Sequence, residues 1–412
     1  MNLQLSVTHF RCLRQWNVRG HTRILFGFLL AFCVGNHSQG DESVVHSALE
    51  RVRSHDFHPL NEDHTFTLDR TLDTHGIADL ENRDGRVRLL AIRDLVRAGI
   101  DSAGGIAKGL EDPNLHVRQV CAAALGVLRA QQATDPLEEL AQKDPTSLVR
   151  TQAVISLGQM VSQGSLELLR EIQRHDPSRD VKHQCELAID QIEKQMGATD
   201  ELQAAYRQLN EGQFTSLKVG QSAPEFTLPD TSNQKWNLQQ LRGDNDWVVL
   251  LWIFADWCPV CHGEFQELID MKKQFKEANV QVVTLECHDL YRCRVMVGKE
   301  LEPDYWFAEK SFKESYTQEI WWPHLMDRAG AIGASYGVEP MAFAVHSEYI
   351  NRPATIIIDP AGKVRFAYYG TFWGDRPSIE QTLDMINERR FEFQHPERLQ
   401  STSAGAAANS TP

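Results

Sequence analysis

Four valines recur along the first half of this chain at nearly constant spacing: Val87, Val117, Val149 and Val181 stand 30, 32 and 32 residues apart. Each is followed by a basic residue (Arg88, Arg118, Arg150, Lys182), and three are preceded by an Asp-Pro pair, Asp112-Pro113, Asp144-Pro145 and Asp176-Pro177. Four residues after each valine comes Ala91, Cys121, Ala153 or Cys185, and eight after comes Leu95, Leu125, Leu157 or Ile189. Spacings of four and eight fall on one face of an α-helix. Asp before Pro suits a helix start, because Asp accepts from free amides and Pro fits the first turn. Further apolar stretches near 137–140 and 166–172 supply second helices. Each unit therefore reads as a helix pair that cannot bury its apolar face alone and must stack on its neighbours.

Over residues 82–195 this pattern resembles HEAT-like repeats. Cys121 and Cys185 fill the small-residue place of Ala91 and Ala153, which assigns them to packing. Arrays of this kind present a surface to another protein, or serve as a packing partner for a neighbouring domain; both readings stand open here. Residues 41–81 carry three Arg against ten Asp/Glu and five irregularly spaced histidines (His46, His55, His58, His64, His75), the composition of an acidic irregular segment rather than a metal site. Residues 196–217 read as a helical linker.

From Gly220 strands alternate with helices, the signature of an α/β fold. Residues 223–228 and 236–238 suit a short opening pair of strands, and 247–254 is an almost unbroken apolar run suited to a strand buried on both faces. Trp257-Cys258-Pro259-Val260-Cys261 follows directly, then an amphipathic helix to about residue 278. Residues 280–285 supply another central strand, 354–358 and 364–369 a hairpin, and 378–388 a closing helix. This domain spans 218–395, the end of the chain at 396–412 reads as a disordered tail, and the two modules are expected to have separate cores.

The two cysteines carry the chemistry. Cys258 would stand at a helix N-terminus, where unpaired amides and the helix dipole favour a thiolate, the species that attacks disulfides. It is thus expected as the exposed nucleophile. Cys261, one turn further in, would attack the resulting mixed disulfide and release the partner. A zinc site would need two further ligands, with Cys287 and Cys293 as its thiol candidates, so no metal or other cofactor is expected. In an oxidising compartment Cys287 and Cys293 are candidates for a second disulfide.

Residues 218–395 resemble the AhpC/TSA–redoxin branch of the thioredoxin superfamily, in particular its exported thiol-disulfide members. The residues that carry this are Ala223-Pro224-Glu225-Phe226-Thr227-Leu228, Trp257-Cys258-Pro259-Val260-Cys261-His262-Gly263-Glu264, His324-Leu325-Met326-Asp327 with Ala334-Ser335-Tyr336-Gly337-Val338, and Arg352-Pro353-Ala354-Thr355-Ile356-Ile357-Ile358-Asp359. The resemblance implies a thioredoxin-like fold, a cis Pro353 facing the dithiol, Arg352 and Trp257 lining the substrate groove, and Glu264 relaying a proton for the inner thiol. Trp252 stands where thioredoxin has a buried Asp, which leaves that proton to Glu264 or to water. The implied activity is thiol-disulfide exchange with protein thiols and disulfides, coupled to a further reductant or oxidant. A thiol peroxidase is the alternative within the superfamily. It would require Thr or Ser at Cys258, Pro at Phe254 and Arg at Pro353, and all three are replaced. A binding protein whose array does the work beside a vestigial redox domain is the third reading.

Residues 1–40 hold Arg11, Arg14, Arg19 and Arg23 with no acid, then an apolar run over 24–35 and a Ser/Gly-rich exit. That order reads as a signal for export, to the periplasm or outside the cell. The chain carries a net charge of −14, and about −18 without those four arginines. Such an acidic surface is repelled by phosphate backbones, which argues against nucleic acid as a partner.

Overall fold

The computed structural model describes residues 37–55, 57, 85–215, 217–243, 246–301, 319–370 and 375–393. Apart from residues 37–40, the expected signal lies outside these, as does the expected tail at 396–412.

The first half is helical, in the order α1 (His37–Arg53), α2 (Gly85–Ala98), α3 (Ala103–Lys108), α4 (Leu115–Leu128), α5 (Thr134–Lys143), α6 (Ser147–Gln159), α7 (Leu166–His175), α8 (Arg179–Glu193) and α9 (Asp200–Gln208). Helices α2, α4, α6 and α8 carry the valine periodicity and pack successively, with α5 and α7 as second helices. Val117, Val149, Val181, Cys121, Ala153, Cys185, Leu125 and Leu157 are buried in one apolar cluster, as the spacing requires. Burial also pushes the thiols of Cys121 and Cys185 up, away from reactivity. The first unit departs from the pattern: Val87 is half-buried and the neighbouring Arg88 is buried instead, facing the second domain.

The Asp-Pro pairs act one step before the helices they were expected to cap. Asp112, Asp144 and Asp176 accept from the amides of Asn114, Thr146 and Ser178 at 2.9, 2.9 and 2.7 Å, turns that aim the chain into α4, α6 and α8. Their carboxylates also face arginines of the preceding helices: Arg53 with Asp112 at 2.8 Å, Arg118 with Asp144 at 2.6 Å and Arg150 with Asp176 at 2.8 Å. Arg118 and Arg150 further donate to the carbonyls of Asp112 and Asp144. The Val-Arg and Asp-Pro motifs are thus two halves of one ladder between repeats.

The N-terminal flank is more ordered than expected, and the C-terminal one is helical as expected. Val45, Ala48, Leu49 and Val52 of α1 enter the array's core, so the acidic segment 41–81 begins as a packed helix. The expected linker 196–217 contains α9, whose Leu202 joins the same core, and Leu209, which packs with Leu89 and Leu90.

The second half is a five-stranded sheet in the order β5-β4-β3-β8-β9. Its strands are β3 (Trp247–Trp252), β4 (Val280–Glu286), β5 (His324–Met326), β8 (Ala354–Ile358) and β9 (Val364–Tyr369). Strands β3, β4 and β5 run parallel, β8 is antiparallel to β3, and β9 to β8. A short pair, β1 (Thr227–Pro229) and β2 (Lys235–Asn237), precedes them, followed by α10 (Leu238–Arg242). After β3 come α11 (Pro259–Asp270) and α12 (Lys272–Glu277), and α15 (Ile379–Glu388) closes the domain. Alternate residues of β3 point to opposite cores, Val249 and Leu251 towards the dithiol and Val248 and Leu250 away. The long insertion between β4 and β8 folds into α13 (Leu290–Met296), β5, α14 (Ala331–Ser335) and a hairpin of β6 (Phe343–Val345) and β7 (Glu348–Ile350).

Each half keeps its own main core, as expected, and two small clusters join them across the interface. Leu89, Leu90 and Leu209 pack with Ala331 and Met341, and Leu187 with Tyr291 and Val295. Tyr291 donates to Asp190 at 2.8 Å, Thr199 binds Asp289, and the Arg88 guanidinium lies 3.5 Å from the centre of the Tyr349 ring.

Candidate active site

Strand β3 delivers the chain to Cys258, which is the N-cap of α11 with Pro259 in the first turn. The expected placement at a helix N-terminus holds. The expected exposure does not: Cys258 is 0% exposed, as is Cys261, and both are free thiols. Burial, followed by the hydrogen bond and proximity of Cys261, pushes the Cys258 thiol well above its ordinary value and overrides the helix terminus. Phe254, Trp257, Trp322, Phe343, Val345 and Ile350 share one buried apolar cluster with the dithiol. The Cys261 sulfur accepts from the Phe254 amide at 3.3 Å.

Glu264 lies on α11 and pairs with Arg376, whose other amino group donates to the Trp252 carbonyl at 2.8 Å. Burial raises the Glu264 carboxyl, and Arg376 opposes that shift. Arg376 is itself buried and within electrostatic reach of both sulfurs. It was not legible in the sequence, standing beyond β9 with no motif around it.

The Trp257 indole donates to Glu348 at 3.2 Å and meets the His346 ring edge-on at 5.0 Å. Arg352, expected to line the substrate groove, has its backbone engaged. Its amide donates to the Glu339 carbonyl at 3.0 Å and its carbonyl accepts from Asn351 at 3.1 Å. Its guanidinium donates to the Gly370 carbonyl. Pro353 is buried beside it, and its carbonyl accepts from Gly370. The candidate pairing of Cys287 with Cys293 is not formed: Cys287 donates to Asn351 at 3.1 Å, whereas Cys293 turns towards the His288 carbonyl.

Behind the dithiol runs a buried charge network that the sequence reading missed. Asp256 binds Arg292 at 2.7 and 2.5 Å, Arg292 binds Glu348, and Glu348 binds His288 at 3.3 Å. His288 binds Glu286 at 2.6 Å, and the other oxygen of Glu286 meets His324 at 3.0 Å. Burial raises Asp256, with Arg292 opposing. Burial and Arg292 work against a charge on His288, yet Glu286 and Glu348 lift it to about 10. Glu286, Cys293 and His324 each bring one ligand-type atom within 4.8 Å of the others, although both oxygens of Glu286 are already engaged by imidazoles. A signal did exist: Glu286, His288 and Arg292 cluster at the end of an apolar strand.

A dithiol at the end of a central strand, on a helix N-terminus, beside a β-hairpin that completes the sheet, defines a thioredoxin-like redox domain. The model of the AhpC/TSA family matches residues 219–367, and that of HEAT repeats matches 77–155 and 104–190. The chain thus joins a HEAT-repeat array to an AhpC/TSA-family domain. It is similar to the thiol-disulfide oxidoreductase ResA of Bacillus subtilis (strain 168), with 28% identity over 156 residues, 38% of this chain and 70% of that protein. It is also similar to the alkyl hydroperoxide reductase E of Mycobacterium tuberculosis (strain ATCC 25618 / H37Rv), with 29% identity over 151 residues, 37% of this chain and 84% of that protein. Among solved structures, the peroxidoxin BcpB from Mycobacterium tuberculosis is 22% identical, covering 42% of this chain and 99% of that one at a TM-score of 0.33.

Proposed function

We propose that this protein is a thiol-disulfide oxidoreductase that exchanges disulfides with exported proteins through Cys258 and Cys261. The observation that carries the reading is the dithiol itself, at a helix N-terminus with Glu264 and Arg376 beside it. In the reductive direction the Cys258 thiolate attacks one sulfur of a substrate disulfide. A mixed disulfide forms, and the other substrate sulfur leaves as a thiolate that takes up a proton. Cys261 gives its proton to Glu264 and attacks Cys258, forming the intramolecular disulfide and releasing the second substrate thiol. Two electrons pass from the dithiol to the substrate, and an external reductant restores them; the oxidative direction is the reverse. Export would place this chemistry in an oxidising compartment.

The trapping experiment tests it. Cys261→Ser should accumulate mixed disulfides through Cys258, and Cys258→Ser should abolish exchange. Trapping by Cys258→Ser alone would reverse the roles. Rapid hydrogen peroxide turnover dependent on Cys261 would replace this reading with a thiol peroxidase, despite the missing Thr/Ser, Pro and Arg positions.

A further inference from the structure

The hairpin of β6 and β7 has two faces with different partners. Its inner side chains Phe343, Val345 and Ile350 pack in the same cluster as Cys258, and Phe343 meets Phe254 at 5.7 Å. Glu348 holds the indole of Trp257, the residue before the nucleophile. Its outer side is gripped by the helical array. Asp180 of α8 binds the His346 ring at 3.2 Å with one oxygen and accepts from Ser347 at 3.1 Å with the other. Ser147 of α6 bonds Ser347 at 2.8 Å, the Tyr349 hydroxyl meets His116 of α4 at 3.3 Å, and Arg88 of α2 covers the Tyr349 ring. Four successive repeats thus hold one eight-residue hairpin.

The turn of that hairpin gives an independent sign that it is held from outside. His346 and Ser347 lie at φ 49° and 55°, left-handed at both central positions. A two-residue hairpin loop of this form favours Asn-Gly, because other side chains clash there. His-Ser persists in this conformation where surrounding contacts over-determine it, and both side chains are bonded to the same carboxylate.

We propose that Asp180 is a specificity-determining positioning residue, clamping the β6–β7 hairpin over Cys258 so that a protein disulfide can reach the sulfur only when the array releases the hairpin. The inference rests on the reading of Cys258 as nucleophile and gives the HEAT repeats a task inside the chain. A small disulfide needs less of the surrounding cluster displaced than a polypeptide does. An extended polypeptide needs the backbone of Arg352, which Glu339 and Asn351 occupy in the closed form. Releasing the hairpin should therefore favour protein substrates over small ones.

The test uses the full-length protein and its Asp180→Ala and Asp180→Asn variants. Three quantities are read: the rate of Cys258 alkylation by iodoacetamide, located by mass spectrometry; the kcat/KM for insulin against that for oxidised glutathione; and hydrogen exchange of the hairpin amides. The expected result for Asp180→Ala is at least tenfold faster alkylation, at least a fivefold rise in the insulin-to-glutathione ratio through KM, and faster exchange over 343–350. Asp180→Asn, which keeps the shape and can still accept from one partner, should fall between this and wild type. Alkylation and substrate ratio within twofold of wild type in both variants would overturn the clamp. So would a raised ratio without faster hairpin exchange. Faster alkylation and hairpin exchange with no disulfide exchange in any form would sustain the clamp and instead sink the oxidoreductase reading.

Discussion

The guanidinium of Arg150 lies edge to edge with the carboxylate of Asp176, Nε to Oδ2 at 2.8 Å and Nη2 to Oδ1 at 2.9 Å. The pair joins α6 to the turn that leads into α8, and both side chains are under 10% exposed. The same contact between Arg118 and Asp144 lies one repeat earlier.

Removing one partner of such a pair leaves a buried charge without compensation. Arg150→Ala should therefore cost about 3–5 kcal/mol in urea-induced unfolding. The exposed pair of Lys143 and Glu139 is the control, and Lys143→Ala should leave the midpoint nearly unchanged. Equal effects would mean that the ladder adds nothing beyond ordinary surface pairing.

Glu264 gives a kinetic prediction. Its carboxyl is raised by burial and held by Arg376, three residues along the helix from Cys261, so it can take the proton that Cys261 loses. Glu264→Gln should slow resolution of a preformed mixed disulfide by about a hundredfold while leaving the first attack by Cys258 within about threefold. Stopped-flow measurement of the two steps separates them. Unslowed resolution would hand the proton to water.

The parts of the molecule that were legible in its sequence are those set by local periodicity. The valine spacing places α4, α6 and α8, and the apolar run before Trp257 places β3 and the dithiol at its end. What was hidden depends on contacts far apart in the chain. Arg88 looks like the basic residue of a repeat, yet it caps Tyr349 across the interface. Arg292 and Glu348 lie in an insertion with no motif and converge on Asp256 only in three dimensions. Cys258 has the sequence context of an exposed nucleophile, yet it is buried in a cluster that includes a hairpin more than 80 residues away.

Gly85 tests the docking of the two halves at one point. A Cβ there would stand 2.2 Å from the Met341 carbonyl oxygen and 3.2 Å from that of Pro340, both backbone atoms that cannot swing aside. Gly85→Ala should destabilise the protein by about 1–3 kcal/mol, the usual cost of overpacking. It should also increase proteolysis around residue 341. A variant as stable and as resistant as wild type would show that the interface yields without cost.

The last prediction concerns His288 and the pH dependence of stability. Its ring lies between Glu286 at 2.6 Å and Glu348 at 3.3 Å. These two carboxylates outweigh burial and Arg292 and lift it from 6.5 to about 10. A group whose folded value lies above its unfolded one binds more protons in the native state, so its stabilisation is complete below pH 6.5 and is lost as pH rises towards about 10. Denaturant unfolding at steps from pH 6 to pH 10 should therefore show wild type losing stability across this window. His288→Gln, which keeps hydrogen-bonding capacity but cannot charge, should start lower at pH 6 and decline less. The two curves should converge at the alkaline end. Parallel curves across the window would show that His288 is neutral in the native protein, and that the charge of the Glu286–Glu348 pair is met elsewhere.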